Sequence, residues 1–211
     1  MKLSSILQVA QEVIVRSASQ QRIMVAVCGA PGAGKTTFSS ELQRYLISGK
    51  PSLSTQTIAM DGFHFDNGIL AKNGLLSIKG APQTFDVKAF EDLLKSTANH
   101  QQDLWAPEFD RDTETVIHKA FCIKKESQVI LVEGNYLLLN QPSWAHLKEY
   151  FDLSIFIEVA QLELQQRLVQ RWINQGYDLA SAQQKAIDND LVNGEKVIKY
   201  SHRADIYLVS Q

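Results

Sequence analysis

The 211 residues carry 21 Lys and Arg against 23 Asp and Glu, a net charge of −2, which offers no general attraction to nucleic acid or to an anionic membrane. A composition of 45% hydrophobic and 21% charged residues excludes disordered, collagen-like and disulfide-rich classes, and it suits one α/β domain over residues 1–211. Cys28 and Cys122 lie too far apart for a metal-ligand pattern and read as reduced thiols, each a small buried apolar side chain. No apolar run reaches bilayer-spanning length, and Glu12 and Arg16 interrupt residues 1–20, so no signal peptide is expected. A soluble, cytoplasmic chain is the expectation.

The apolar residues Leu3, Ile6, Leu7, Ala10, Val13 and Ile14 recur at helical spacing over residues 3–16. Arg22–Val27 is a β-branched apolar run, as in a strand covered on both faces. A glycine-rich turn follows, then a helix over Thr36–Ile47 and a second strand over Thr55–Met60. Residues 61–84 read as a long loop or excursion, and Asp86 as the N-cap of a helix with Phe90, Leu93 and Leu94 on one face. Residues 103–126 read as irregular with an extended pair around Val116–Ile123. Gln128–Val132 and Leu153–Val159 are a third and a fourth buried strand. Leu162–Asn174 is a helix, residues 178–199 are a helix broken near Asn193-Gly194, and Asp205–Val209 is a fifth strand. Buried strands alternating with helices predict a parallel sheet between helical layers.

The string Gly29-Ala30-Pro31-Gly32-Ala33-Gly34-Lys35-Thr36, with Thr37 after it, fits G-x-x-x-x-G-K-[ST] and stands between a buried strand and a helix. Glycines let backbone amides turn inward round phosphate groups, and the helix opening at Lys35 presents unpaired amides and a positive dipole end. Lys35 supplies a cation for the outer phosphates, and the Thr36 hydroxyl suits Mg²⁺. These residues point to ATP with Mg²⁺.

Three further places bear on the chemistry. Asp61 follows the second strand, at the sheet edge where open α/β proteins bind ligands. From spacing it is equally a turn former before Gly62 or a group that takes a proton from an acceptor hydroxyl. Glu133 ends the third strand, where a P-loop protein needs an acid for Mg²⁺ or its waters; a plain strand-ending carboxylate is the other reading. Arg167 and Arg171 lie four apart on one helix face and repel, which a triphosphate would offset; a solvated surface pair is the alternative.

Taken in order, CGAPGAGKTT (28–37), MDGFHFDN (60–67), GAPQTFD (80–86), APEFDRDTE (106–114), ILVEGNYLLL (130–139), RLVQRW (167–172) and ND-x-x-N (189–193) resemble the phosphoribulokinase, uridine kinase and pantothenate kinase family of P-loop kinases. The set covers nearly the whole chain and is most similar to a bacterial nucleoside or fructose-transport-associated kinase-like branch. The resemblance implies a five-stranded parallel sheet between helices, a helical lid, and transfer of the γ-phosphoryl group of ATP to a small metabolite. Carried onto matching positions, it makes Asp61 the catalytic base and Glu133 a Mg²⁺-linked carboxylate, while Lys35 and Thr36 keep their P-loop roles. It makes Arg171 and Arg167 lid residues, and His64, Phe85, Asp110, Arg111 and Tyr136 the lining of the acceptor pocket.

Two departures weigh against the named acceptors. Residues 110–114 stand where uridine kinases carry H-[ST]-R, and Arg111 and Leu168 stand where pantothenate kinases carry His and Tyr. Asp110, Arg111 and His64 suit a hydroxyl-rich or anionic acceptor such as a sugar or polyol derivative. A GTP-dependent switch would need an N-K-x-D element, and none is present. An ATP-binding regulator without catalysis would tend to lose Asp61 or the lid arginines, and all are present. The expected partner is a small-molecule substrate, and the sequence leaves the oligomeric state, homodimer included, open.

Overall fold

The computed structural model describes residues 5–50, 53–99 and 101–209. Helix α1 (Ile6–Ser17) begins at Ser5, whose hydroxyl accepts from the Gln8 amide, and it buries Val9, Ala10 and Val13. Leu3, expected in this helix, lies outside the described residues. Strand β1 (Ile23–Gly29) is buried at every position. After the glycine loop come helix α2 (Lys35–Gly49), strand β2 (Thr55–Ala59), a 3₁₀ turn (Met60–Phe63) and the short helix α3 (Asn67–Lys72). Residues 61–84 are thus an excursion with helical content, made of α3 and short 3₁₀ turns. Helix α4 (Val87–Asn99) starts at Asp86, whose Oδ1 accepts from the Ala89 amide at 2.9 Å.

Residues 103–126 are more regular than expected. Strands β3 (Leu104–Asp110) and β4 (Thr115–Ile123) form an antiparallel hairpin. The register shifts between Ala106 and Glu108, so Pro107, which has no amide to donate, sits at the irregularity. The alternation was weak in the sequence because this two-stranded unit has no continuous buried face, its Trp105 and Ile117 being exposed.

Strand β5 (Val129–Gly134), strand β6 (Leu153–Glu158), helix α5 (Gln161–Asn174), helix α6 (Leu179–Lys185), helix α7 (Val192–Tyr200) and strand β7 (Ile206–Val209) complete the order. A π-helical turn, Ala186–Leu191, joins α6 to α7. The expected break therefore falls earlier than predicted, and Asn193-Gly194 lies inside α7. That residue lies against the glycine loop: a Cβ at Gly194 would stand 3.5 Å from that of Ala30, at ordinary contact distance.

The main sheet has five parallel strands in the order β2-β5-β1-β6-β7. Successive β1 residues feed opposite cores. Ile23, Val25 and Val27 pack with Val9, Val13, Leu42 and Leu46 of α1 and α2. Met24, Ala26 and Cys28 pack with Phe90 and Leu94 of α4 and with Tyr136–Leu139. Each buried Val or Leu contributes roughly 1.5–3 kcal/mol, which is why the central strands read as continuous apolar runs. At the opposite end from the glycine loop, the buried Arg22 guanidinium donates to the carbonyls of Thr97, Ser127, Lys124 and Lys125. Cys28 is buried as expected, whereas Cys122 on β4 is half-buried, its thiol 3.6 Å from Asp103 Oδ2.

Candidate functional site

The glycine loop leaves the carboxyl end of β1 between the ends of β5 and β6. Gly32 and Gly34 hold φ of 78° and 88°, in the left-handed region that favours glycine, and Gly34 caps the start of α2. A Cβ at Gly32 would also meet the Leu168 side chain of α5 (Gln161–Asn174) at 3.1 Å, so this helix packs directly on the loop. Lys35 Nζ donates to the Ala30 carbonyl at 2.9 Å, folding the side chain back across the loop. Burial pushes this ammonium below its ordinary pKa, while Cys28, Asp61 and Glu133 pull it back up. Burial likewise pushes the neighbouring Cys28 thiol up to about 11.

The first residues of α2 bring Thr36 against Glu133, which β5 carries between Val27 of β1 and Ala59 of β2. The threonine hydroxyl lies 2.8 and 3.0 Å from the two carboxylate oxygens. Burial raises the Glu133 pKa, and the Thr36 hydrogen bond and Lys35 oppose that rise. One hydroxyl and one carboxylate at the same spot are hard oxygen donors, which Mg²⁺ prefers. Among the described residues no group of three or more His, Cys, Asp or Glu gathers to hold a metal. The donor set thus fits an ion that would take its remaining ligands from phosphate and water.

Asp61 sits in the 3₁₀ turn that follows β2. The turn is held by its backbone, since the Asp61 carbonyl accepts from the His64 amide at 3.2 Å. Its carboxylate is free to face away from the turn, and it accepts from Arg111 Nη2 at 2.6 Å. Arg111 reaches in from the turn between β3 and β4 and is mostly exposed, with 60% of its side-chain surface open. His64 Nδ1 lies 2.9 Å from the Asp61 carbonyl, which can only accept, so the ring's proton sits on Nδ1. The imidazole stacks on Phe85 at 3.9 Å and on Phe109 at 5.0 Å, and burial lowers its pKa. Tyr136 is buried, donates to the Gly80 carbonyl at 2.6 Å and has a phenol pKa raised by burial. Phe85 meets Tyr136 edge-on at 5.7 Å.

Asp110 is differently employed. Its oxygens accept from the Asp112 and Thr113 amides and the Thr113 hydroxyl, so it closes the hairpin turn and thereby fixes where Arg111 starts.

The two arginines of α5 already have carboxylate partners. Arg167 Nε is 2.8 Å from Glu163, and Arg171 Nη2 is 2.8 Å from Asp190. The mutual repulsion inferred from their spacing is therefore offset within the protein, and it does not by itself demand a triphosphate. Arg167 still faces the loop, its Nη1 4.0 Å from where a Gly34 Cβ would be. Arg171 is near enough to Lys35 to lower its pKa. Asp190 also accepts from Trp172 Nε1 at 2.7 Å. Sequence reasoning assigned no role to Asp190 or Asn189; the ND-x-x-N string was the one signal, and its partners lie 18 to 110 residues away. Beside Ala30, a cavity of about 180 Å³ opens between Ile157–Val159, Leu164 and Ser201–His202.

A glycine loop between a central parallel strand and a helix, an acid on the neighbouring strand and an arginine-bearing helix packed on the loop define a P-loop kinase. The model of the phosphoribulokinase / uridine kinase family matches residues 24–200, and the chain belongs to that family. Among its relatives, the uncharacterized protein YggC of Escherichia coli (strain K12) is 34% identical over 89% of this chain and 77% of its own length. A Schizosaccharomyces pombe protein provisionally named uridine kinase C227.14 is 30% identical over 90% of this chain and 83% of its own. A solved structure from Silicibacter sp. TM1040, provisionally described as a fructose transport system kinase, has a TM-score of 0.91 at 38% identity, covering 97% of this chain and 99% of that one. No helix among the described residues is long and apolar enough to cross a membrane.

Proposed function

We infer that this kinase transfers the γ-phosphoryl group of ATP to a hydroxyl of a small hydroxyl-rich or anionic metabolite, a sugar or polyol derivative being favoured. The observation that carries the reading is Asp61. Its carboxylate stands one strand from Glu133 and close enough to Lys35 to raise that lysine's pKa, yet it is committed to no turn and pairs only with a mostly exposed arginine among the contacts described. The glycine loop and Lys35 would hold the phosphates of ATP, with Arg171 and Arg167 over them. Thr36 and Glu133 would hold Mg²⁺, which when bound supplies charge neutralisation between the outer phosphates. The cavity beside Ala30 is the adjoining space for the purine base.

On the acceptor side, Asp61 takes the proton of the attacking hydroxyl, a transfer that falls late in a loose transition state. His64, neutral at ordinary pH, offers Nε2 to an acceptor hydroxyl while Nδ1 stays on the Asp61 carbonyl. Phe85 and Tyr136 wall that side. Arg111, released from Asp61, meets an anionic or hydroxyl group on the acceptor. Asp110 contributes by closing the turn that carries Arg111. A cytoplasmic setting suits such an activity.

The deciding experiment is ADP release by purified protein with MgATP against a library of sugars, sugar phosphates, polyols, nucleosides and pantothenate. Asp61→Asn keeps the size of the side chain and removes the base. Transfer to the acceptor found should fall roughly 10²–10⁴-fold with thermal stability nearly kept. Full activity in this variant overturns the assignment and makes Asp66 or Asp110 the next candidate. MgATP binding without transfer to any acceptor would favour a regulatory protein.

A further inference from the structure

The string Asn189-Asp190 with Asn193 is used by none of the roles above. It spans the π-helical turn, Ala186–Leu191, and the first turn of α7. A π turn inserts one residue into the helical path with poorer hydrogen-bond geometry, and such turns concentrate at functional sites.

Three polar side chains diverge from this turn. Asp190, buried, accepts from Arg171 at 2.8 Å and from Trp172 at 2.7 Å. Asn189 Nδ2 donates to the Lys79 carbonyl at 2.8 Å, across 110 residues of sequence. Asn193, buried, donates to Asn189 Oδ1 at 2.9 Å, which turns the Asn189 amide so that its nitrogen faces Lys79. The same turn is seated on the glycine loop, since Ala186 packs with Ala30, Leu164 and Leu168.

The Lys79 end is equally tied into the acceptor side. Lys79 Nζ donates to Asn67 Oδ1 at 2.7 Å and to the Glu114 carbonyl of the hairpin turn at 3.0 Å. The next residue, Gly80, receives the Tyr136 hydroxyl. A contact that only joined helices would be met by apolar side chains. Here a buried carboxylate is set against a half-exposed arginine, and a half-buried Asn189 braced by the buried Asn193 is set against a loop carbonyl.

We propose that the π turn is a positioning element: Asp190 aims Arg171 at the outer phosphate, and Asn189 ties that aim to the acceptor loop at Lys79, so that nucleotide binding orders the acceptor side. Asp190, Asn189 and Asn193 act through other groups and touch no substrate. The proposal rests on the ATP reading above.

Calorimetry with Mg²⁺ and either AMP-PNP or ADP tests the first link. Arg171→Ala should lower the preference for AMP-PNP over ADP about tenfold, the worth of one charge-assisted contact. Asp190→Ala should match it, Asp190→Asn should fall between because its amide oxygen still accepts, and Arg171→Ala with Asp190→Ala should be no worse than Arg171→Ala alone. Hydrogen exchange tests the second link. AMP-PNP should slow exchange severalfold over residues 76–86 of the wild type, and Asn189→Ala should lose that slowing while still binding nucleotide.

Wild-type preference in both Asp190 variants, whatever their melting temperature, overturns the aiming role. Unchanged slowing in Asn189→Ala, or none in the wild type, overturns the tie. If Asp190→Ala does not fold, Asp190→Asn and Asn189→Ala carry the test. A wild type that binds neither nucleotide overturns the ATP reading as well, whereas binding that responds to Arg171→Ala but not to Asp190 overturns this proposal alone.

Discussion

Replacing Gly62 by alanine should disturb the acceptor side through backbone alone. A Cβ built there falls 2.5 Å from the Pro107 carbonyl oxygen and 2.8 Å from its carbon, where ordinary contact begins near 3.4 Å. Gly62 is not among the glycines with positive φ, so its own backbone accepts an alanine and the cost is the clash. Either the 3₁₀ turn or β3 must therefore retreat by about 0.9 Å, the difference between 3.4 and 2.5 Å. Overpacking of this kind costs roughly 1–3 kcal/mol, or about 2–12 °C in melting temperature for a chain of this size. The turn carries Asp61 and the hairpin carries Arg111, so the same retreat moves the two apart. With Asp61 as the proposed base, a displacement near 1 Å of its carboxylate is worth on the order of 10² in kcat. Gly68, in α3 with nothing within 4 Å of its Cβ position, is the matched control, and Gly68→Ala should leave stability equal or slightly higher. The assay is thermal unfolding of both variants, followed by ADP release. Gly62→Ala as stable and as active as Gly68→Ala would refute the steric argument.

Lys35→Ala should abolish turnover and weaken MgATP binding, measured by calorimetry, since it removes the one lysine of the glycine loop. Arg22→Met should cost ~3 kcal/mol or more, read as a melting temperature about 6–12 °C lower, because four carbonyls lose a buried charged donor. His64 gives a pH dependence. Burial holds its folded pKa below the ordinary 6.5, so its neutral form is the one the fold prefers. Its stabilisation is full above pH 6.5 and is lost as pH falls toward the lower folded value. His64→Phe, which keeps the stack with Phe85, should flatten that loss in denaturant titrations at pH 7.5 and 5.5.

Much of the nucleotide side was legible in sequence because it is local. The P-loop string, the apolar strand before it and Glu133 at the end of another apolar strand each lie within one short window, and backbone geometry carries their arrangement. Asp61 was legible as a position but not as a contact, since its partner Arg111 arrives from a hairpin that read as irregular. The arginine face of α5 was half legible. The spacing of Arg167 and Arg171 gave the shared face, but Glu163 and Asp190 are what offset their repulsion. The π turn left no trace in hydrophobic periodicity. It interrupts the register of a helix that a 3.6-residue pattern describes on both sides, and the sequence showed only the asparagines near it.

The contrast between the two cysteines has a practical side. Cys28 is wholly enclosed and its thiol is held protonated, so it is a poor nucleophile even at mildly alkaline pH. Cys122 is partly open on strand β4 of the hairpin. A maleimide dye applied to the folded wild-type chain should therefore label one place, and that place rides on the same unit as Arg111. The protein carries its own attachment point for a fluorophore, and a dye there reports on the surroundings of the hairpin by anisotropy, with and without a candidate acceptor, without any engineered residue.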